Sequence, residues 1–166
     1  MPVDSYAFLP RAFRPIFESA PEFDHEPVWA ELRKPLEQAR VALLSSAGIF
    51  VSGEQEPFDI DREKREPTWG DPSLRIIPGD ITQGAIAATH LHLNTTDLLR
   101  DMNVALPIHR LNELAGVGEI GGSGTEHFSV MGYQEEGAEV WRTMTGPEIA
   151  ARCHAADIDA LILAPA

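Results

Sequence analysis

At 166 residues, 43% of them apolar, the chain has the length of one domain and enough hydrophobic content to bury a core without disulfides or a metal. Its 26 acidic residues against 13 basic ones leave a net charge of −13, which argues against nucleic acid and anionic membrane surfaces as partners because both would be repelled. The single cysteine, Cys153, excludes an internal disulfide and CxxC redox chemistry; with no apolar run of bilayer length and no basic, apolar leader at the N-terminus, the expected location is the cytoplasm.

Residues 1–38 read as a proline-broken lead, in which Pro2, Pro10, Pro15, Pro21, Pro27 and Pro35 exclude a long helix. Its scattered aromatics, from Tyr6 to Trp29, suit packing on the domain or on a partner. Residues 39–166 read as an α/β domain. Val41-Ala42-Leu43-Leu44 is a short apolar run bounded by Ser45, Ser46 and Gly48, which predicts a strand buried on both faces with a turn at its carboxyl end. Residues 52–73 are rich in charge, Pro and Gly and predict a long loop, a feature uncommon unless functional. A second strand is expected over 74–77, stopped by Pro78-Gly79, and a third over 85–91. Residues 107–115 predict a helix with Pro107 in its first turn and Gly116 after it. A fourth strand is expected over 127–131. Thr145-Gly146-Pro147-Glu148 predicts a helix start, with Thr145 as N-cap and Glu148 in the capping-box position. Residues 159–165 predict a final buried strand. Strands alternating with helices predict a three-layer, Rossmann-like α/β domain with a short, mostly parallel sheet.

In such folds ligands bind beyond the carboxyl ends of the strands. Ser45, Ser46, His90, His92 and the last residues of the chain all map to that edge. His90 and His92 are one residue apart, and on an extended backbone positions i and i+2 share a face. Two neutral imidazoles presented together suit a metal site or an acid–base pair. A third ligand would come from His127 or Asp97, although nothing here has the fixed spacing of a zinc-protease motif. Asn94-Thr95-Thr96-Asp97 reads first as capping chemistry for a short helix, with Thr95 and Asp97, like Ser45 and Ser46, as candidate substrate contacts. Gly116-Val117-Gly118-Glu119-Ile120-Gly121 matches GxGxxG but follows a predicted helix, so it is not a dinucleotide fingerprint. Cys153 and His154 point about 100° apart on a helix, so Cys153 reads as a packed thiol and not as a nucleophile beside its base.

These segments in order, Val41 to Gly48, Glu56-Pro57-Phe58-Asp59, Gly70 to Asp80, Thr89-His90-Leu91-His92, Asp101-Met102-Asn103-Val104, Pro107-Ile108-His109-Arg110-Leu111, Gly118-Glu119-Ile120-Gly121, His127 to Tyr133 and Asp159 to Leu163, resemble the glycine/sarcosine/betaine reductase component B and D-proline reductase selenoprotein family. The resemblance runs from residue 40 to the end. It implies reductive cleavage of a C–N bond in a small amine or amino acid. It also implies a partner subunit whose pyruvoyl group forms a Schiff base with the substrate, and a selenocysteine or cysteine that attacks the α-carbon. The family places that redox residue just after the last strand, where this chain reads Ala164-Pro165-Ala166. The redox half then lies elsewhere, or the pocket serves another reaction.

Three expectations follow. The first is a reductase-family protein that binds a small carboxylated amine, with His90 and His92 handling protons, and a protein partner that carries the redox or pyruvoyl group. The second is a lyase or hydrolase that uses a divalent metal such as zinc or iron, held by His90, His92 and His127, with bound water as nucleophile. The third is a non-catalytic, oligomeric assembly subunit that docks through its lead.

Overall fold

The computed structural model describes residues 11, 15, 30–66, 68–134 and 138–166. Contacts divide the chain into two compact units, Met1–Glu31 and Leu32–Ala166. Most of the lead expected over residues 1–38, with its aromatics, lies outside the described residues.

At the centre of the second unit is β1 (Arg40–Ser45). Val41 and Leu43 enter one apolar cluster with Ile77, Leu98, Leu106, Ile108 and Leu111, whereas Ala42 and Leu44 pack with Phe128, Ile149 and Cys153. Successive side chains on a strand leave opposite faces, so an unbroken apolar run is what two covered faces require. After β1 come β2 (Ile49–Val51), α1 (Ile60–Arg65), β3 (Arg75–Pro78), β4 (Ile86–Ala88), α2 (Thr95–Arg100) and α3 (Ile108–Gly116). The chain then forms β5 (Gly122–Ser123) and β6 (Glu126–Ser129), a helical run from Ala138 that becomes α4 (Gly146–Ala155), and β7 (Ala160–Ala164).

The main sheet is mixed but mostly parallel. β1 lies parallel to β6 on one side, with Leu44 opposite Phe128, and parallel to β7 on the other, with Leu44 opposite Leu163. β5 runs parallel beside the start of β1, and β3 adds to the far side of β6 in the antiparallel sense. Pro78 ends β3 opposite Glu126, and one more backbone bond follows, from Gly79 N–H to the Thr125 carbonyl at 2.8 Å. β2 and β4 form a separate antiparallel pair, with Phe50 opposite Ala87. Among the described residues no helix is long and apolar enough to cross a membrane.

Four elements differ from the sequence expectation. The third strand ends at Ala88 and not at residue 91, because its partner β2 begins at Ile49, directly opposite. One more backbone bond follows, from Thr89 N–H to the Gly48 carbonyl at 3.0 Å, and the chain then bends. The expected loop at 52–73 contains α1, a helix written almost wholly in charged residues and started by Asp59, whose Oδ1 accepts the Arg62 N–H at 2.9 Å. Thr145 is not an N-cap. It has helical dihedrals inside a run that starts at Ala138 and passes through a π-helical turn, Trp141–Thr145, and its hydroxyl donates to the Pro72 carbonyl at 2.8 Å. Finally, β7 is not buried: Ile162 is 49% and Leu163 65% exposed, because β1 is the strand it pairs with among the described residues. The GxGxxG stretch joins α3 to β5, the reverse of the strand–turn–helix order that dinucleotide binding requires.

Candidate functional site

The turn after β1 sets the geometry of the site. Gly48 has φ +63°, and a Cβ there would sit 2.2 Å from the Thr89 carbonyl oxygen and 2.7 Å from Met131 Sδ. Only glycine tolerates both the left-handed dihedral and the close approach. Gly48 N–H donates to the Val130 carbonyl at 3.1 Å, so this one residue ties together the segments that carry His90 and Met131. A second close approach occurs at Gly70, where a Cβ would lie 1.7 Å from the Tyr133 carbonyl oxygen. Gln134 Nε2 spans the same junction, donating to the carbonyls of Asp71 at 2.9 Å and Met131 at 3.2 Å.

These junctions enclose a cavity of about 190 Å³, lined by Glu63, Lys64, Trp69, His90, Leu91, His92, Met131 and Tyr133. Its wall is largely apolar with a few polar groups, the usual composition of a small-molecule pocket. Trp69 is held from behind by the Arg62 guanidinium, 4.0 Å from the ring centroid.

His90 and His92 are brought together, but by the bend and not by a strand. Their ring centroids are 6.2 Å apart and the planes nearly perpendicular; the His92 ring meets Tyr133 at 6.3 Å. His92 N–H donates to His90 Nδ1 at 3.1 Å, so the neutral His90 ring carries its proton on Nε2. That Nε2 is enclosed and has no hydrogen-bond partner. Burial, and secondarily the neighbouring His92, pushes the His90 pKa below the usual imidazole value and keeps the ring uncharged.

Glu63 is the site residue that sequence reading missed. It belongs to the charged run of α1, where no apolar period marks an inward face, yet it is only 6% exposed. Its Oε1 accepts the Asp71 N–H at 3.1 Å. Burial raises the Glu63 pKa, and the Asp71 carboxylate adds to that, while the Asp71 N–H bond and His92 act in the opposite sense. Asp71 is committed to the loop. Its Oδ2 accepts the Asp59 N–H at 2.8 Å, and its Oδ1 accepts from the Ser73 N–H and hydroxyl. The sequence signal available for this region was the unusual length of the excursion, together with Trp69 within it.

The other expected site residues lie elsewhere. Ser45 is fully buried, and its Oγ accepts the Ala47 N–H at 3.2 Å. Ser46 Oγ accepts the Ala166 N–H at 2.8 Å, so it meets the end of β7 and not the cavity. Thr95 and Asp97 are in the first turn of α2, where Asn94 is the cap and Asp97 faces Arg100 at 3.7 Å. His127 is not brought to the histidine pair. It is fully buried in β6, its Nδ1 accepts the Leu43 N–H at 3.1 Å across the sheet, and its Nε2 meets Ser123 Oγ at 3.5 Å. Among the described residues no group of three His, Cys, Asp or Glu side chains is arranged to hold a metal ion.

The chain is similar to D-proline reductase subunit gamma of Acetoanaerobium sticklandii, with 30% identity over 137 residues. That match takes in 82% of this chain and 52% of the relative, so the chain spans about half the length of the curated relative it matches. No family model matches the sequence, and no solved structure matches it.

Proposed function

We propose, from the premise that this chain is related to the D-proline/glycine reductase family, that it serves as part of a reductase subunit which holds a small amine or amino acid for reductive C–N cleavage. The sequence relationship over 137 residues carries this reading. The cavity supports it: Trp69, Leu91, Met131 and Tyr133 offer apolar surface to the ligand's carbons, while Glu63, Lys64, His90 and His92 offer charge and proton-handling groups. The scaffold in this reading is a three-layer, Rossmann-like unit over residues 39–166, preceded by the lead at 1–38 as an assembly element.

The nucleophile would come from a protein partner or a segment outside these residues. A thiolate or selenolate must do that chemistry, and Cys153 is unsuited to it. Its thiol packs beside Ala42, Phe128 and Ile149, and burial, with Glu126 adding to it, raises its pKa.

The test is ligand-dependent stability of the purified protein with D-proline, glycine, sarcosine and betaine. A ligand at 100 times its Kd stabilises by about 2.7 kcal/mol, a rise of several degrees in Tm. We expect such a rise with at least one of the four, reduced in Trp69→Ala. No rise with any of them at millimolar concentration would reject the reading.

A further inference from the structure

We propose that Glu63 is the residue that receives the cationic nitrogen of the ligand in the Glu63–His90–His92 cavity. This rests on the binding role argued above and adds to it a residue that sets which ligands bind.

The geometry points to Glu63 because, among the described residues, it is the one carboxyl group lining the cavity. It is buried, and its Oε1 is fixed by the Asp71 N–H, while its Oε2 has no protein hydrogen-bond partner among the described residues. Two of the three cations of α1 are engaged elsewhere. Arg62 Nε pairs with Glu66 at 2.9 Å while its guanidinium stacks on Trp69, and Lys64 pairs with Asp61 at 3.3 Å. Among the described residues no ion pair reaches Glu63. A buried carboxylate without a cation is costly, and burial accordingly favours its protonated form. An ammonium ion entering between Trp69, Tyr133 and the imidazoles supplies the missing charge and a donor for the free oxygen. With His90 held neutral, the carboxyl group of Glu63 is the natural partner for a cation, and the aromatic rings add cation–π attraction.

The experiment is calorimetric titration of the full chain with a panel of probes: D-proline, glycine, sarcosine, betaine, pyrrolidine and cyclopentanecarboxylate. The last of these has the ring and carboxylate of proline but no nitrogen. Wild-type protein should bind one or more of the nitrogen compounds and not cyclopentanecarboxylate. Glu63→Gln, which keeps the acceptor for the Asp71 N–H, should weaken binding of that ligand by about 10- to 100-fold, the usual effect of losing a charge-assisted bond. Glu63→Asp should recover part of the affinity. If Glu63→Gln binds the same nitrogen compound within about twofold of wild type while retaining the wild-type Tm, the assignment of Glu63 is overturned and the binding role stands. If wild-type protein binds none of the nitrogen compounds, both fall.

Discussion

His127 and His90 use the same local device, a backbone N–H donated into ring Nδ1, to opposite ends. In His127 the donor is Leu43, 84 residues away on the neighbouring strand, and the ring is sealed between β1 and β6 with Ser123 at its far nitrogen. In His90 the donor is His92, two residues along, and the ring stands at the wall of a cavity with its far nitrogen unpaired. The long-range bond makes His127 a structural residue that stitches strands. The short-range bond fixes only a tautomer, which leaves His90 available for a ligand. A histidine's surroundings on its second nitrogen, and not its residue type, separate the two roles.

The comparison breaks most readily at His127. His127→Ala leaves a cavity in the core and an unpaired Leu43 N–H, for an expected loss of about 3–5 kcal/mol in urea denaturation at neutral pH. A loss below about 1 kcal/mol would mean that the ring does not join the strands. The next effect is pH-dependent. Burial lowers the His127 pKa from 6.5 to about 4. The unfolded chain therefore takes up a proton below about pH 6.5 that the folded chain refuses until about pH 4. The associated stability is complete above the unfolded value, declines as the pH falls through that window, and reaches a total loss of about 3 kcal/mol near pH 4. Denaturation midpoints between pH 7.5 and 5 should show this slope in wild type and a flatter one in His127→Asn, whose amide oxygen still accepts from Leu43; equal slopes would refute it. The smallest effect belongs to His90→Ala. Its hydrogen bond is local and its ring is half-buried, so the stability cost should stay within about 1 kcal/mol. Ligand-induced stabilisation should fall in the same protein. A large loss of stability with unchanged ligand response would reverse the roles assigned to the two rings.

The same contrast explains how much was legible beforehand. The apolar run of β1 was readable because a strand covered on both faces needs hydrophobic residues at every position. The run in β7 is equally apolar and predicts the same burial, yet among the described residues it lies at a sheet edge with Leu163 exposed. Composition cannot distinguish a central strand from an edge strand. The spacing of His90 and His92 predicts their proximity on an extended strand, whereas a bend is what presents them. Glu63 was hidden because the residues of α1 resemble a solvated surface helix, and only packing against the Asp71 loop turns that carboxyl inward.

Sequence alone determined the alternation of strands and helices, the apolar strand β1, the resemblance to a reductase family and the histidine pair, because each rests on local pattern or short spacing. Tertiary structure decided that His127 stays in the sheet, that Ser45 and Ser46 are consumed by backbone contacts, and that Glu63, Trp69 and Tyr133 meet the imidazoles around one cavity. Those outcomes depend on which distant segments are pressed together at Gly48 and Gly70, and contacts between residues far apart in the chain leave no periodic trace in it.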